Sequence, residues 1–275
     1  MPNFIVGARL HDYGKGTPDE LFGKVSADGF AAVQLAYKKC VPTVKSYADV
    51  TDALVAETVA AEKAHRIQVA VLGTYVELAI NDESRLCNVA DFKSQLAVCK
   101  ALGAGCIGTE TTAMSKQPAG TTRAQAQELL CRSLADILPA AEALGVTVAV
   151  EPVTYHSMNS AAATRHILDT MRSPNLKVIF DMSNLVSAEN VDAQDRIWYD
   201  MGALLGDQIV AVHFKGQAFA PDGSLLHTSL EESRTDYAGA FAMLRQLPQP
   251  TLPVLREEAV PARAASDIAF MKGFF

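Results

Sequence analysis

Short apolar runs recur along the chain and are separated by longer segments in which polar and apolar residues mix. Runs of this kind, rich in β-branched residues and bounded by polar loops, are typical of parallel strands that are buried on both faces. The pattern predicts eight strands, at residues 4–10, 32–35, 68–72, 106–108, 146–150, 178–180, 209–212 and 252–255.

Helix signals alternate with these strands. The segment Thr17-Pro18-Asp19-Glu20 forms a capping box with proline at the first helical position, which predicts where the first helix begins. Strict alternation of strands and helices indicates a parallel sheet. Seven further helices are predicted near residues 51–65, 89–102, 123–144, 160–171, 192–205, 237–247 and 264–275.

The number of strand–helix units favours a closed sheet. Eight units in 275 residues predict an α/β fold of the (β/α)₈ TIM-barrel type that forms one domain over residues 1–275. Closure removes the exposed edges that an open sheet would present. A doubly wound sheet is the alternative, but no GxGxxG motif follows the first predicted strand. The chain is 49% apolar, which is enough for a sizeable core.

Charge, cysteine content and hydropathy restrict the class of protein. The formal net charge of −7 disfavours a nucleic-acid partner. The N-terminus has no signal-peptide pattern, and no apolar run approaches the roughly 20 residues needed to span a bilayer. The five cysteines are odd in number and show no CxxC spacing. Reduced thiols are therefore expected rather than a disulfide framework. We therefore expect a cytoplasmic protein with no membrane segment, and the sequence leaves open whether it forms a homo-oligomer.

Four residues of the metal-ligand type stand where the last four predicted strands end. They are Glu151, Asp181, His213 and Glu257. A single carboxylate at a strand end is more often solvated or caps a helix, but catalytic residues of TIM barrels lie at the carboxyl ends of the strands. Four ligands on adjacent strands therefore predict one divalent-metal site. Three oxygens and one nitrogen suit Mn²⁺ or Mg²⁺, with Co²⁺ or Zn²⁺ as alternatives.

The residues around these positions resemble a known family. The chain is similar to the xylose-isomerase-like sugar phosphate isomerase/epimerase family, which includes ketose 3-epimerases of the D-tagatose 3-epimerase type, and the resemblance covers nearly its whole length. The loops Gly73-Thr74-Tyr75 and Gly108-Thr109-Glu110-Thr111 also resemble loops of this family. The segments that carry it best are Val148-Ala149-Val150-Glu151-Pro152, Val178-Ile179-Phe180-Asp181 with Asn184-Leu185, Val212-His213-Phe214-Lys215 and Val254-Leu255-Arg256-Glu257.

The resemblance implies an isomerase that acts on a small-molecule sugar, a ketose or related polyol. It places the metal ligands on the four strand-end residues and the acid/base pair on Glu151 and Glu257. Three positions depart from the family pattern: Asn184 replaces a substrate-binding histidine, Phe219 replaces an arginine, and Gly216 after Lys215 replaces an aspartate. The departures leave the metal ligands intact and the identity of the sugar open. Glu258 is an alternative to Glu257, because only one of two successive strand residues faces inward.

The chemistry of the ligand set agrees with that implication. A divalent ion can chelate a ketone oxygen and a neighbouring hydroxyl and polarise the carbonyl as a Lewis acid. The adjacent C–H then becomes acidic, and proton transfer through a metal-bound enediolate is expected. If Glu151 and Glu257 lie on opposite sides of the substrate, one removes the proton and the other returns one to the opposite face, which inverts the carbon.

Further polar and aromatic residues near strand ends are candidate substrate contacts. For Lys215 there are two interpretations: it binds a hydroxyl or phosphate of the substrate, or it is a solvated surface lysine. For Glu110 the two interpretations are binding of a substrate hydroxyl and capping of the next helix. His156 touches the substrate or is an ordinary loop histidine. Trp198 is expected to pack in an outer helix, and the polar loop at residues 217–235 is a candidate lid. The candidate contacts are Lys215, Glu110, His11, Tyr75, Asn184 and His156.

Three other functions are alternatives to a sugar epimerase. A dehydratase of the inosose type would use the same metal and a similar carboxylate base but would expel a hydroxyl. A non-catalytic sugar-binding barrel would not exchange carbon-bound protons. A DNA-repair endonuclease needs two or three metals and several more histidine ligands, whereas here only His213 is well placed.

Overall fold

The described structure is a computed structural model that covers the backbone of residues 1–275 and every side chain except that of Asp82. Its eight parallel strands close into a barrel, and the predicted TIM barrel is therefore confirmed. The barrel strands are β1 Asn3–Arg9, β2 Ala32–Leu35, β3 Gln68–Gly73, β4 Cys106–Glu110, β5 Val148–Glu151, β6 Leu176–Asp181, β7 Ile209–Phe214 and β10 Thr251–Arg256. Their order around the barrel is β1-β10-β7-β6-β5-β4-β3-β2.

Helices cover the outside of the barrel, and a two-stranded antiparallel hairpin projects from its mouth. The hairpin consists of β8 Gly216–Phe219 and β9 Leu225–Thr228. The first helix begins with the predicted capping box of Thr17 and Glu20. The helices are α1 Pro18–Ala27, α2 Tyr37–Cys40, α3 Asp52–His65, α4 Asp82–Leu102, α5 Arg123–Leu144, α6 Ala161–Met171, α7 Gln194–Leu205, α8 Tyr237–Leu244 and α9 Ala264–Lys272.

Two apolar layers hold the barrel together. The outer layer lies between strands and helices and contains large buried side chains such as Phe92 and Phe180. The layer inside the barrel consists of small and medium side chains, including Ala149, Ile179 and Leu255. Gly108 fits here because a Cβ at its position would lie 2.5 Å from Cδ1 of Ile179. This inner layer closes the barrel below its mouth, so that a site can form only at the strand ends.

The structure corrects the predicted elements most clearly at residues 217–235 and at the start of α4. The segment predicted to be a long loop at residues 217–235 contains most of the β8–β9 hairpin. Its tip is a turn in which Gly223 donates a backbone hydrogen bond to Ala220, with Pro221 at the second position, as such turns favour. Helix α4 begins seven residues before the predicted start, because the Asn81 side chain caps it by accepting from Ser84 N.

No helix among the described residues is long and apolar enough to cross a membrane.

Candidate metal centre and active site

The four predicted metal ligands meet at the carboxyl end of the barrel. Glu151 and Asp181 end β5 and β6, His213 is the penultimate residue of β7, and Glu257 directly follows β10. Asp181 and His213 are register partners in adjacent strands, and the backbone N–H of Glu257 donates to Phe214 at 3.0 Å. All four residues are buried, with at most 4% of their surface exposed. Strand pairing thus brings these side chains into one buried cluster.

The imidazole of His213 lies at the centre of this cluster. Its Nδ1 is 3.0 Å from Oε2 of Glu151 and 3.5 Å from Oε1 of Glu257. The other ring nitrogen, Nε2, is buried and has no hydrogen bond to any described residue. One donor atom each from Glu151, Asp181 and His213 lies within 4.8 Å of the others. Buried polar atoms without partners are costly, and a cation between these donors would satisfy them. The residues therefore fit a divalent metal ion.

Lys215 enters the same cluster. Its Nζ lies 2.9 Å from Oδ2 of Asp181 and 3.5 Å from Oε2 of Glu257. The residue is only 7% exposed, so the interpretation as a solvated surface lysine is wrong. Lys215 points toward the same side as His213, as expected for two residues separated by one. A fixed positive charge thus stands between two of the candidate ligands.

Arg9 is a residue of this site that the sequence analysis did not identify. It ends β1, and its guanidinium lies 3.8 Å from Oε1 of Glu257 and 2.9 Å from Oε1 of Glu258. Its other hydrogen bonds go to Asp12, at 2.7 and 3.0 Å. Glu258 adopts a left-handed backbone conformation with φ of 55°, and its side chain is 39% exposed. Glu257, not Glu258, therefore faces the cluster, and Arg9 helps to hold it there.

The charges in the cluster are mutually dependent. Burial alone would lower the pKa of His213, but the carboxylates of Glu257 and Glu151 raise it to about 9. Burial would raise the pKa of Glu257, but His213, Lys215 and Arg9 hold that pKa well below its usual range. Burial raises the pKa of Asp181, against the opposing effect of Lys215. The carboxylate form of Glu257 is thus stabilised by three cationic neighbours.

Asn184 supports two of the candidate ligands. Its backbone N–H donates to Oδ1 of Asp181 at 2.8 Å, and its side-chain amide donates to Oε1 of Glu151 at 2.5 Å. Both bonds fix a carboxylate by one oxygen and leave the other free to face the cluster. Asn184 is therefore at the site, in contact with two acidic residues.

Glu110 is the register partner of Glu151 at the end of β4. Its side chain is 44% exposed, and the described structure gives it no capping role, because Thr122 caps the next helix α5. Partial burial, followed by the charge of Glu151, raises the pKa of Glu110 to about 7. The carboxyl group of Glu110 therefore takes up a proton more readily than an ordinary glutamate does.

The remaining predicted contacts lie around the mouth. A small pocket of about 30 Å³ reaches the cluster, and its lining includes Tyr75 and Glu110 together with Arg9 and Gln34. Tyr75 is 41% exposed as a residue, and its ring stands edge-on to His11, with ring centres 5.8 Å apart. His11 itself is not part of this lining.

Neither His156 nor Trp198 lines the small pocket at the cluster. His156 is buried, with Nε2 at 3.9 Å from Oε2 of Glu110. Burial lowers the pKa of its imidazole to about 4. Trp198 packs edge-on against Phe180 at 5.8 Å in α7, as the sequence predicted.

Comparison with known proteins identifies the family. Residues 22–273 match the family model described as the xylose isomerase-like TIM barrel. The chain belongs to this family. The match covers most of the chain, including all four candidate ligands, in agreement with the resemblance inferred from sequence.

Solved structures similar to the chain share its fold. A D-tagatose 3-epimerase-like protein is 12% identical, with a TM-score of 0.78 over 98% of this chain and 96% of that one. The E. coli 3-keto-D-glucoside 4-epimerase is 17% identical, with a TM-score of 0.72 over 98% and 100%. The IOLI protein with a binding zinc atom is 15% identical, with a TM-score of 0.75 over 100% and 96%. No curated protein matches the sequence, and at these identities the likeness concerns the fold alone.

Proposed function

We propose that this protein is a metal-dependent epimerase or isomerase of a ketose or a related polyol. The observation that carries the proposal is the convergence of Glu151 and Glu257 on the same nitrogen of His213, at 3.0 and 3.5 Å. The two carboxylates come from β5 and from the end of β10, which β6 and β7 separate in the barrel, so they would approach one substrate carbon from different directions. The sugar epimerases among the similar structures support the same reaction class.

Glu151, Asp181, His213 and Glu257 would hold one divalent cation. The oxygen-rich donor set favours Mn²⁺ or Mg²⁺, and the zinc named in the similar IOLI structure makes Zn²⁺ an alternative. When bound, such an ion polarises a carbonyl as a Lewis acid and makes the neighbouring C–H more acidic.

The chain itself supplies the proton carriers. Glu257, kept ionised by His213, Lys215 and Arg9, accepts a proton from the substrate carbon at a carboxylate oxygen. Glu151, held at Oε1 by Asn184, exchanges a proton with the other face through Oε2. The reaction is reversible, so the two glutamates exchange roles in the opposite direction. Tyr75 and Glu110 line the small pocket and would contact hydroxyl groups of the sugar.

Exchange of carbon-bound hydrogen in D₂O tests this function directly. A panel of ketoses is incubated with the protein and MnCl₂, and NMR then locates deuterium on carbon and identifies any new epimer. Deuterium on a carbon next to the carbonyl, together with its epimer, is the expected result. A product that has lost a hydroxyl would indicate a dehydratase instead, and absence of deuterium from every ketose would contradict the proposal.

A further inference from the structure

A second, much larger cavity opens beside the metal cluster. It has a volume of about 630 Å³, within the range of roughly 300–1,000 Å³ typical of small-molecule sites. We call it the hairpin chamber, because the β8–β9 hairpin and the loops after β5 and β6 enclose it. Asn184 lines the chamber and donates to Glu151, so the chamber and the cluster meet at this residue.

The walls of the hairpin chamber combine apolar surface with polar groups. Tyr155 and Phe219 contribute aromatic rings, and the Tyr155 side chain is largely open to solvent, with 54% of the residue exposed. Thr154, Glu189 and Asp222 add hydroxyl and carboxylate groups. Binding sites for polar organic molecules typically have such apolar walls with a few polar groups that fix orientation. A sugar ring, with its C–H faces and hydroxyl edges, matches this composition.

Hydrogen bonds fix the chamber wall to the barrel. The side-chain amide of Gln217 donates to the backbone carbonyls of Ser183 and Val186 at 2.6 and 3.1 Å. The hydroxyl of Ser183 donates to the carbonyl of Lys215 at 2.7 Å. The first hairpin strand is therefore tied to the loop after β6, and the chamber exists without a ligand to shape it.

Gly216 allows the hairpin to begin directly after Lys215, a residue of the cluster. A Cβ at this position would lie 2.4 Å from the carbonyl oxygens of both Thr228 and Ser229. The aspartate that usually follows the lysine in this family is therefore incompatible with the hairpin as it is built here. The replacement of the usual aspartate by Gly216 and the formation of the chamber therefore both depend on the β8–β9 hairpin.

We propose that the substrate carries a second unit, a glycosyl group attached to the reacting keto sugar, and that the hairpin chamber binds this unit. This inference rests on the proposed function, since the reacting end must reach Glu151 and Glu257. The small pocket of about 30 Å³ at the cluster has room for only the reacting atoms. The chamber of about 630 Å³ next to it has room for the rest of the reacting sugar and for a further ring.

A matched pair of sugars tests the inference. D-fructose and isomaltulose present the same ketose, but isomaltulose carries a glucosyl group at the end remote from the carbonyl. Calorimetric titration of the Mn²⁺-loaded protein gives the ratio of the two affinities. We expect isomaltulose to bind at least roughly tenfold more tightly, equivalent to about 1.4 kcal/mol.

Blocking the chamber should remove that preference. Ala188 lines the chamber on an exposed loop, so Ala188→Trp places a large ring in the chamber without disturbing the core. The matched control, Ala53→Trp, adds the same ring on the exposed face of α3. We expect the affinity ratio to fall close to one in the first variant and to stay at the wild-type value in the second.

The outcomes separate the two proposals. Equal affinities for both sugars in the wild type, or a preference that survives Ala188→Trp, would overturn the assignment of the chamber. Deuterium exchange of the same sugars in D₂O reports on the proposed reaction independently. Preferential binding of isomaltulose, together with absence of exchange from every ketose of the panel, would refute the epimerase function and support the chamber as a sugar-binding site.

Discussion

The ammonium group of Lys215 lies 2.9 Å from Oδ2 of Asp181, inside the cluster that the candidate metal ligands form. Both groups are almost completely buried. Removing one partner of a buried ion pair typically costs about 3–5 kcal/mol, because the remaining charge loses its counterion. Lys215 therefore acts as a built-in cation that stabilises the acidic cluster, and it also repels a metal ion that approaches the same carboxylates.

Lys215→Met should separate these two effects. Without added metal, we expect the free energy of unfolding to fall by about 3 kcal/mol, because Asp181 and Glu257 lose a cationic neighbour. With excess MnCl₂, most of this loss should disappear, because the ion then supplies the positive charge to the folded state. Urea unfolding with and without MnCl₂ measures both quantities.

Lys177→Met is the matched control for this experiment. Lys177 lies in β6 and donates to the side chain of Gln208 at 2.8 Å, remote from the cluster residues. Its replacement should leave the effect of MnCl₂ on unfolding unchanged. A Lys215→Met protein as stable as the wild type in the absence of metal would show that the ion pair with Asp181 contributes little.

The second prediction concerns the two glutamates. Glu151→Gln and Glu257→Gln each keep an oxygen donor and the shape of the side chain but remove the titratable carboxylate. We expect each variant to retain much of its Mn²⁺ binding and to lose at least about 10²-fold in kcat, the lower range for a general acid–base group. Titration calorimetry and turnover of the best ketose measure the two properties.

Glu258 provides an internal control for that pair. It adjoins Glu257, but its side chain points toward Arg9 and solvent. Glu258→Gln should therefore change kcat by no more than a few fold. If the Glu151 and Glu257 variants both keep near-full epimerisation, the proton carriers lie elsewhere, with Lys215 and His11 as the next residues to test.

The architecture was predictable because buried parallel strands need apolar residues on both faces. Strand ends such as Glu151 and Asp181 are therefore visible as the first polar residues after an apolar run. The hairpin was missed because β9 is exposed, so that its sequence resembles a loop. The turn signal Pro221-Asp222-Gly223 was the local evidence for it.

The contacts of the site were less predictable than its ligands. Arg9 meets Glu257 only because β1 pairs with β10 when the barrel closes, and no local pattern records that pairing. The burial of Lys215 depends in the same way on carboxylates from β6 and from the segment after β10. Sequence patterns indicate which residues end each strand, whereas partners across the barrel follow from its closure.

Removal of the metal should abolish turnover without unfolding the barrel. The two apolar layers contain no ligand residue, so they persist when the ion is absent. After treatment with EDTA and desalting, we expect no measurable epimerisation and an unchanged far-UV circular dichroism spectrum. Added MnCl₂ should restore turnover. Full activity after complete metal removal, verified by elemental analysis, would contradict the metal-dependent function.

The last prediction is that acid destabilises the fold through His156. Burial lowers the pKa of this imidazole to about 4, below its ordinary value of 6.5. The unfolded chain therefore takes up a proton below about pH 6.5 that the folded chain takes up only near pH 4. The free energy of unfolding should fall as the pH decreases through this window, with His156 contributing at most about 3 kcal/mol.

His156→Gln tests the assignment, because it removes the proton uptake and nearly preserves the volume of the side chain. Urea unfolding of this variant at pH 7 and pH 5 should show a smaller decrease in stability than the wild type shows. His11, whose pKa is also lowered to about 4 by burial, keeps its own contribution in both proteins. His166→Gln, on the exposed surface of α6, is the control and should retain the wild-type decrease. If His156→Gln also retains it, acid destabilisation arises from other groups.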